Sequence, residues 1–253
     1  MTTLTSLTET GTLEGFPNPP AQDSAGGPSS VHAIEPTAAV AAGFRPMRGV
    51  AWYKRLQAWA LARRNPGYDA LVAARKLALL STIRGTVVEI GPGAGVNLPF
   101  FRTDVRWIGV EPNPFLSPRV QETATRLGRD IELRAGTAEH LPVPSRSIDA
   151  VVATLVLCSV DDPGVALREV LRVLKPGGRF VFMEHVAAPR GTFTRWLQRL
   201  LSPLWNFAAD GCHLDRDTAA AISAAGFRTV VHDHFDLPIP VVGPHVAGTA
   251  WAP

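Results

Sequence analysis

From Trp52 onward the apolar residues fall at helical spacing, first Trp52, Leu56 and Trp59, then Leu71, Ala74 and Leu77. This predicts two amphipathic helices, Trp52 to Arg64 and Tyr68 to Leu80, divided at Pro66-Gly67. The period then changes. Short β-rich runs occur at Thr86 to Ile90, Trp107 to Val110 and Ile131 to Arg134. A fully apolar run follows at Ile148 to Leu157, and a fifth, Arg179 to Glu184, comes after the turn Lys175-Pro176-Gly177-Gly178. Helical segments separate them. The clearest is Pro163 to Leu174, with Asp161 or Asp162 as N-cap, Pro163 in the first turn, and Val170, Leu171 and Leu174 on one face. Strands apolar on both faces, alternating with helices, predict a parallel sheet covered on both sides.

Further along, Phe193, Trp196, Leu197, Leu200, Leu201, Leu204 and Trp205 form a wide apolar helical stripe interrupted by Pro203, expected as core or lid. A small-residue helix from Thr218 to Ala225 ends at Gly226 and leads into a strand from Arg228 to His234. Pro238, Pro240 and Pro244 punctuate a loop before a last strand at His245 to Trp251. The expected class is therefore α/β, a doubly wound, seven-stranded, mostly parallel sheet closed by a C-terminal hairpin.

Charge divides the chain. Residues 1–43 contain four acids (Glu9, Glu14, Asp23, Glu35) and no Lys or Arg, so they carry −4 while the remainder carries +7. This segment has no hydrophobic period and is too poor in apolar side chains to offset its ordering entropy, so it reads as a disordered tail. It lacks the basic start and apolar stretch of a secretory signal and the arginines of a transit peptide. Residues 44–84 read as an N-terminal helical lid and 85–253 as one domain with a full core. The longest apolar run, Ala150 to Val160, is about half a membrane span. Cys158 and Cys212 make no disulfide framework, which indicates a reducing cytoplasm. The 22 Arg against 3 Lys are scattered, with no run longer than Arg63-Arg64, so no nucleic-acid face is expected.

The informative stretch is Val87-Val88-Glu89-Ile90-Gly91-Pro92-Gly93-Ala94-Gly95. A strand entering a Gly-x-Gly-x-Gly turn lets backbone N–H groups approach a ligand closely. Glu111 lies 20 residues beyond Gly91, where a carboxylate accepts hydrogen bonds from both ribose hydroxyls of an adenosine. Three details favour S-adenosylmethionine over a dinucleotide. The position that a dinucleotide fingerprint fills with Gly or Ala is Val96. Glu89 would repel a pyrophosphate and suits an ammonium and a sulfonium. The remaining length leaves no room for the separate substrate domain usual in dehydrogenases.

Along residues 66–186, the segments VVEIGPGAG, VEPNPF, AGTAEHLPVPSRSIDAVV, TLVLCSV and REVLRVLKPGGRFVFMEHV resemble the class I S-adenosylmethionine-dependent methyltransferases, with their Rossmann-like fold. TLVLCSV, FMEHV, DGCHL (Asp210 to Leu214) and PHVAG (Pro244 to Gly248) further resemble the methyltransferase-like 7 group, whose animal members methylate alkyl thiols. The resemblance implies that Glu89, Gly91, Gly93 and Gly95 line the methionine and ribose side, with Glu111 on the ribose and Pro112 and Asn113 beside the adenine. It puts Thr137, Ala138 and Glu139 at the adenine edge, although many relatives have Asp at the position of Thr137. Thr154 and Leu155 approach the methionine part. Animal relatives carry an N-terminal hydrophobic anchor, which residues 1–45 do not resemble.

A thiol acceptor needs alignment with the methyl and loss of its proton. His185, ending the fifth strand, Asp210 after the Trp-rich helix, and His245 beside the last strand are the candidate catalytic residues. His213 is a weaker candidate. Cys158 and Cys212 read as packing residues. His232, Asp233 and His234 read as a solvated strand face, so no metal is expected. An apolar small thiol is the expected acceptor. A lipid amine, a quinone or a phenol is the alternative; contact with a membrane through the basic, Trp-bearing first helix is less favoured. A non-catalytic nucleotide-binding module is the third reading. Because the tail lies outside every motif, deleting residues 1–41 should leave S-adenosylmethionine affinity unchanged in isothermal titration calorimetry. A loss of binding on truncation would give the tail a part in the site.

Overall fold

The computed structural model describes residues 66–209 and 211–253, together with Arg55. The acidic tail, the first predicted helix with most of the predicted lid, and Asp210 lie outside the described residues. In chain order the described elements are α1 (Pro66–Leu80), β1 (Thr86–Ile90), a 3-10 turn (Leu98–Phe100), β2 (Arg106–Glu111), α2 (Ser117–Arg126), β3 (Glu132–Ala135) and β4 (Ile148–Thr154). They continue with α3 (Pro163–Val173), β5 (Leu174–His185), α4 (Phe193–Ala208), α5 (Thr218–Ala224), β6 (Thr229–Asp236) and β7 (Pro244–Trp251). The sheet runs β3-β2-β1-β4-β5-β7-β6, with β7 alone antiparallel to its neighbours. This is the expected doubly wound sheet with its C-terminal hairpin.

The period of two along each strand sorts the core. Val88, Ile90, Val151, Phe180 and Phe182 face Leu167 and Val170 of α3 and Ile222 of α5. Val87, Val152, Val181 and Trp107 face Leu80 of α1, Leu98, and Val120 of α2. Both faces of β1 and β4 are thus covered, which is why their sequences read as continuous apolar runs. Helix α3 starts where Asp162 accepts from the N–H groups of Gly164 and Val165, so Asp162 is the cap. Among the described residues no helix is long and apolar enough to cross a membrane.

Two boundaries and one helix face differ from expectation. Strand β4 stops at Thr154 because Leu155 takes φ +56°, a left-handed turn that an unbroken apolar run conceals. Leu174 leaves the helix and pairs with Ile148, so β5 begins before the Pro-Gly-Gly segment rather than after it. Helix α4, expected as core or lid, leaves much of its apolar stripe exposed, with Leu197 and Leu201 partly buried. Its fully buried anchor is Gln198, which donates to the carbonyls of Val186 and Val241 and accepts from the N–H of Ala188. Ser202 donates to Asp215 on the same side. Phe193, Leu204 and Phe207 are exposed, each by about 70% of its surface.

Gln198→Leu should therefore destabilise the fold despite adding apolar surface. It orphans buried backbone groups at about 1–3 kcal/mol each. Leu200→Ser on the outer face should stay within about 0.5 kcal/mol of the parent. Urea unfolding midpoints check the pair, and the reverse ranking would mean that α4 is held by its apolar side.

Candidate active site

The glycine turn follows directly from β1, an inner strand of the sheet. Gly91, Gly93 and Gly95 have φ of +58°, +58° and +73°, conformations that cost other residues about 1–2 kcal/mol. The space beside Gly93 is open: a Cβ placed there would meet nothing within 4 Å. Glu111, at the end of β2, is held in place from two sides. Its carboxylate accepts from the N–H of Gly93 at 3.3 Å and from the N–H of Asn113 at 3.0 Å. Asn113 is itself buried, and its side chain accepts from the N–H of Phe115. Pro112 beside it is exposed.

Glu89 is almost wholly buried at the end of β1. Burial pushes its carboxyl upward from the ordinary value; hydrogen bonds from Asn97 and Trp107 and the charge of Lys76 oppose that shift. The Asn97 amide donates to Glu89 at 2.8 Å and approaches the Thr154 hydroxyl at 2.7 Å, while the Trp107 indole N–H donates to Glu89 at 2.9 Å. The other amide atom, Asn97 Oδ1, is buried without a partner among the described residues. Farther along the sheet edge, Thr137 is exposed and bridges to His140, Ala138 is buried, and Glu139 accepts from the N–H of Asp161. Leu155 stays partly exposed in its left-handed turn.

At the ends of β4 and β5 a second group gathers. The His185 Nε2 lies 2.9 Å from the Cys212 Sγ. Cys158, His185 and Cys212 are all buried, with one donor atom of each within 4.8 Å of the others. The Cys212 thiol is drawn down to about 5, first by its hydrogen bond with Cys158 and then by His185. Burial opposes charge on His185, but Cys212 outweighs it and raises the imidazole. Next to it in sequence, the fully buried Glu184 accepts from the N–H of Val156, and burial lifts its carboxyl to about 7.

Among the sequence-predicted catalytic residues, His185 and His245 face each other across the β5–β7 register. His245 is engaged at both ring nitrogens. The Gly243 carbonyl can only accept, so Nδ1–H donates to it at 2.8 Å and Nε2 faces the Tyr68 hydroxyl at 3.2 Å. A cavity of about 390 Å³ adjoins His245 and is bounded by Val186, Arg190, Arg195 and Asp236. Asp210 is outside the described residues. His213 lies against the side-chain amide of Asn206, 3.1 Å away. Asp233 pairs with Arg75 and His234 is exposed, but His232, expected on the solvated face, lies against the buried Phe182 ring with its Nδ1 buried. The partners that sequence reasoning missed are Asn97, Trp107, Glu184 and the two cysteines. Glu184, Cys158 and Cys212 all lay inside the short segments already singled out, beside the residues chosen.

A family model described as a methyltransferase domain matches residues 88–182. The chain is 36% identical to human thiol S-methyltransferase TMT1A over 197 residues, 72% of this chain and 80% of that protein. It is 39% identical to rat thiol S-methyltransferase TMT1B over 171 residues, 65% of this chain and 70% of the relative. The fold is also similar to the crystal structure of the YcgJ protein from Bacillus subtilis, with a TM-score of 0.59 at 19% identity, covering 72% of this chain and 97% of that one.

Glu111→Ala should weaken S-adenosylmethionine binding by tenfold or more. Hydrogen bonds to a charged group contribute about 1.5–3 kcal/mol each, and about 1.4 kcal/mol is tenfold in affinity. Calorimetric titration of the folded variant reads this directly. An unchanged dissociation constant would remove Glu111 from the ribose.

Proposed function

The chain belongs to the S-adenosylmethionine-dependent methyltransferases, and from that premise we propose that it methylates the sulfur of a small apolar thiol in the cytoplasm. The observation that carries this reading is the pairing of sulfur and imidazole at the strand ends, in a chain whose relatives are named thiol S-methyltransferases. When bound, S-adenosylmethionine supplies an electrophilic methyl on a sulfonium and leaves as S-adenosylhomocysteine.

The residues fit that group. The open space at Gly93 admits a ligand against the backbone, and the Glu111 carboxylate, fixed by the N–H groups of Gly93 and Asn113, would accept from the ribose hydroxyls. The unpartnered Asn97 Oδ1 is an acceptor suited to an ammonium donor, with the Glu89 carboxylate behind it. Thr137, Ala138 and Glu139 would border the adenine, and Thr154 and Leu155 the methionine part.

For the acceptor, the chain has two tasks: to align a sulfur with the methyl and to keep it ionised. In a doubly wound sheet the ligand crevice lies outside the carboxyl ends of the strands. His185 and Cys212 stand at that end and supply the polar group that a departing thiol proton requires. His245, held by Tyr68 and the Gly243 carbonyl, is a positioning residue in this scheme and keeps the end of β7 fixed opposite His185.

The test is a panel of alkane thiols, amines and phenols with the purified chain and S-adenosylmethionine, following S-adenosylhomocysteine by mass spectrometry. Thiols should turn over and the others should not; turnover of amines or phenols alone would overturn the sulfur assignment. His185→Ala should lower kcat/KM for the thiol by about tenfold or more, roughly 1.4 kcal/mol, while leaving cofactor affinity intact. A drop of less than about threefold would move the proton-handling role to another residue.

A further inference from the structure

Cys158, His185 and Cys212 come from three separate parts of the chain. They lie in the turn after β4, at the end of β5, and in the loop after α4. Their donor atoms nevertheless converge within 4.8 Å, and all three residues are buried. Packing alone does not require this, since a buried free cysteine ordinarily behaves as a small hydrophobe.

The backbone around the cluster is built to hold it. The N–H of His213 donates to the carbonyl of Cys158 at 2.9 Å, which fastens the Cys212 loop to the Cys158 turn. The Arg216 guanidinium donates to the carbonyls of Leu157 and Val160, each at 2.7 Å, from the other side of the same turn. Glu184 accepts from the N–H of Val156 and ties that turn to β5. Two polar atoms at the cluster's edge, His185 Nδ1 and Glu184 Oε2, are buried without partners among the described residues. Two sulfurs and an imidazole thus sit on a locked frame beside a buried carboxylate, and the nearby Arg216 guanidinium is taken up by two carbonyls.

We propose that Cys158 Sγ, His185 Nε2 and Cys212 Sγ form a binding site for one thiophilic divalent cation of the zinc class, with a fourth coordination position open to a ligand from outside the chain. Two thiolates and a neutral imidazole are the donor set that suits such an ion, and their charge cancels the cation's within the buried site. Bonds of about 2.0–2.3 Å in a tetrahedral site set the donor atoms roughly 3.3–3.8 Å apart, so small side-chain adjustments on the present frame accommodate the ion. Binding releases two protons from the three donors together and involves no change of oxidation state. Three protein donors with one open position is the pattern of catalytic rather than structural zinc. The ligand of the open position is an acceptor thiol, bound as thiolate with its proton released to solvent while His185 Nε2 serves as a metal ligand instead of a base; that clause rests on the function proposed above.

The experiment uses the full chain, reduced with a phosphine and stripped of metal, then titrated anaerobically with Co²⁺ as the probe. One equivalent should bind with a thiolate-to-cobalt charge-transfer band, and Zn²⁺ should displace it. Cys158→Ser and Cys212→Ser should each lose the band while keeping far-ultraviolet circular dichroism and S-adenosylmethionine affinity. Absence of the band in reduced, folded protein overturns the site. So does a band undiminished in the folded Cys212→Ser variant, which would place the metal elsewhere. If the serine variants fail to fold, Cys158→Ala and Cys212→Ala, which keep the sites apolar, make the same comparison. Adding a small alkane thiol to the cobalt-loaded chain should shift the band, and an unmoved spectrum overturns the open position. Neither spectrum depends on turnover, so failure of thiol methylation and failure of metal binding are told apart.

Discussion

The Glu89 carboxylate, buried at the carboxyl end of β1, is the constraint on which the cofactor end depends. A buried charge without partners costs several kcal/mol, so its hydrogen bonds are obligatory rather than decorative. One oxygen accepts from Asn97, the residue leading into the 3-10 turn, and the other from Trp107 of β2. Asn97 also reaches Thr154 at the end of β4. A single acid thus joins β1, its two neighbouring strands and the segment that follows the glycine turn. The turn between them has little freedom left. Its three left-handed glycines take up the remaining curvature, and Glu111 closes the arrangement through the N–H of Gly93.

The acceptor end follows a comparable logic, with alternate residues of β5 given different tasks. Glu184 binds the turn after β4, while His185 meets Cys212 from the loop after α4. The strand end is therefore the point at which two loops, more than 50 residues apart in sequence, are brought into one frame. Leu155, in its left-handed conformation, is the hinge that sends the first of these loops back toward the second. Backbone of this kind persists only where its surroundings over-determine it, which is common at functional sites.

How legible this was depended on which physics wrote it. Apolar periodicity and the Asp162 cap sit in the local sequence, so the strands, their order of appearance and helix α3 could be read directly. So could the glycine turn with Glu111, because spacing along one strand-turn-strand unit encodes it. Boundaries set by tertiary context could not be read: Leu155 ends β4 through a backbone torsion, and Leu174 pairs with Ile148 although it continues a helical pattern. Gln198 was invisible for the opposite reason. A polar residue in an apolar stripe looks like an outward position, and only its three backbone partners reveal it as the anchor. His185 was found, but Cys212 as its neighbour was not, since nothing local connects residues 27 apart on different elements.

Helix α4 separates attachment from appearance. Gln198 and Ser202 fasten it by directional bonds to backbone and Asp215, on the side away from its exposed apolar residues. Most apolar stripes resist sequence drift because each change disturbs packing. This one is fastened by other residues. Phe193, Trp196, Leu200 and Leu204 form a surface that takes no share in the buried bonds of Gln198 and Ser202. Two enzymes with the same inner helix face could carry very different outer ones. The outer face is then a record of surroundings rather than of chemistry.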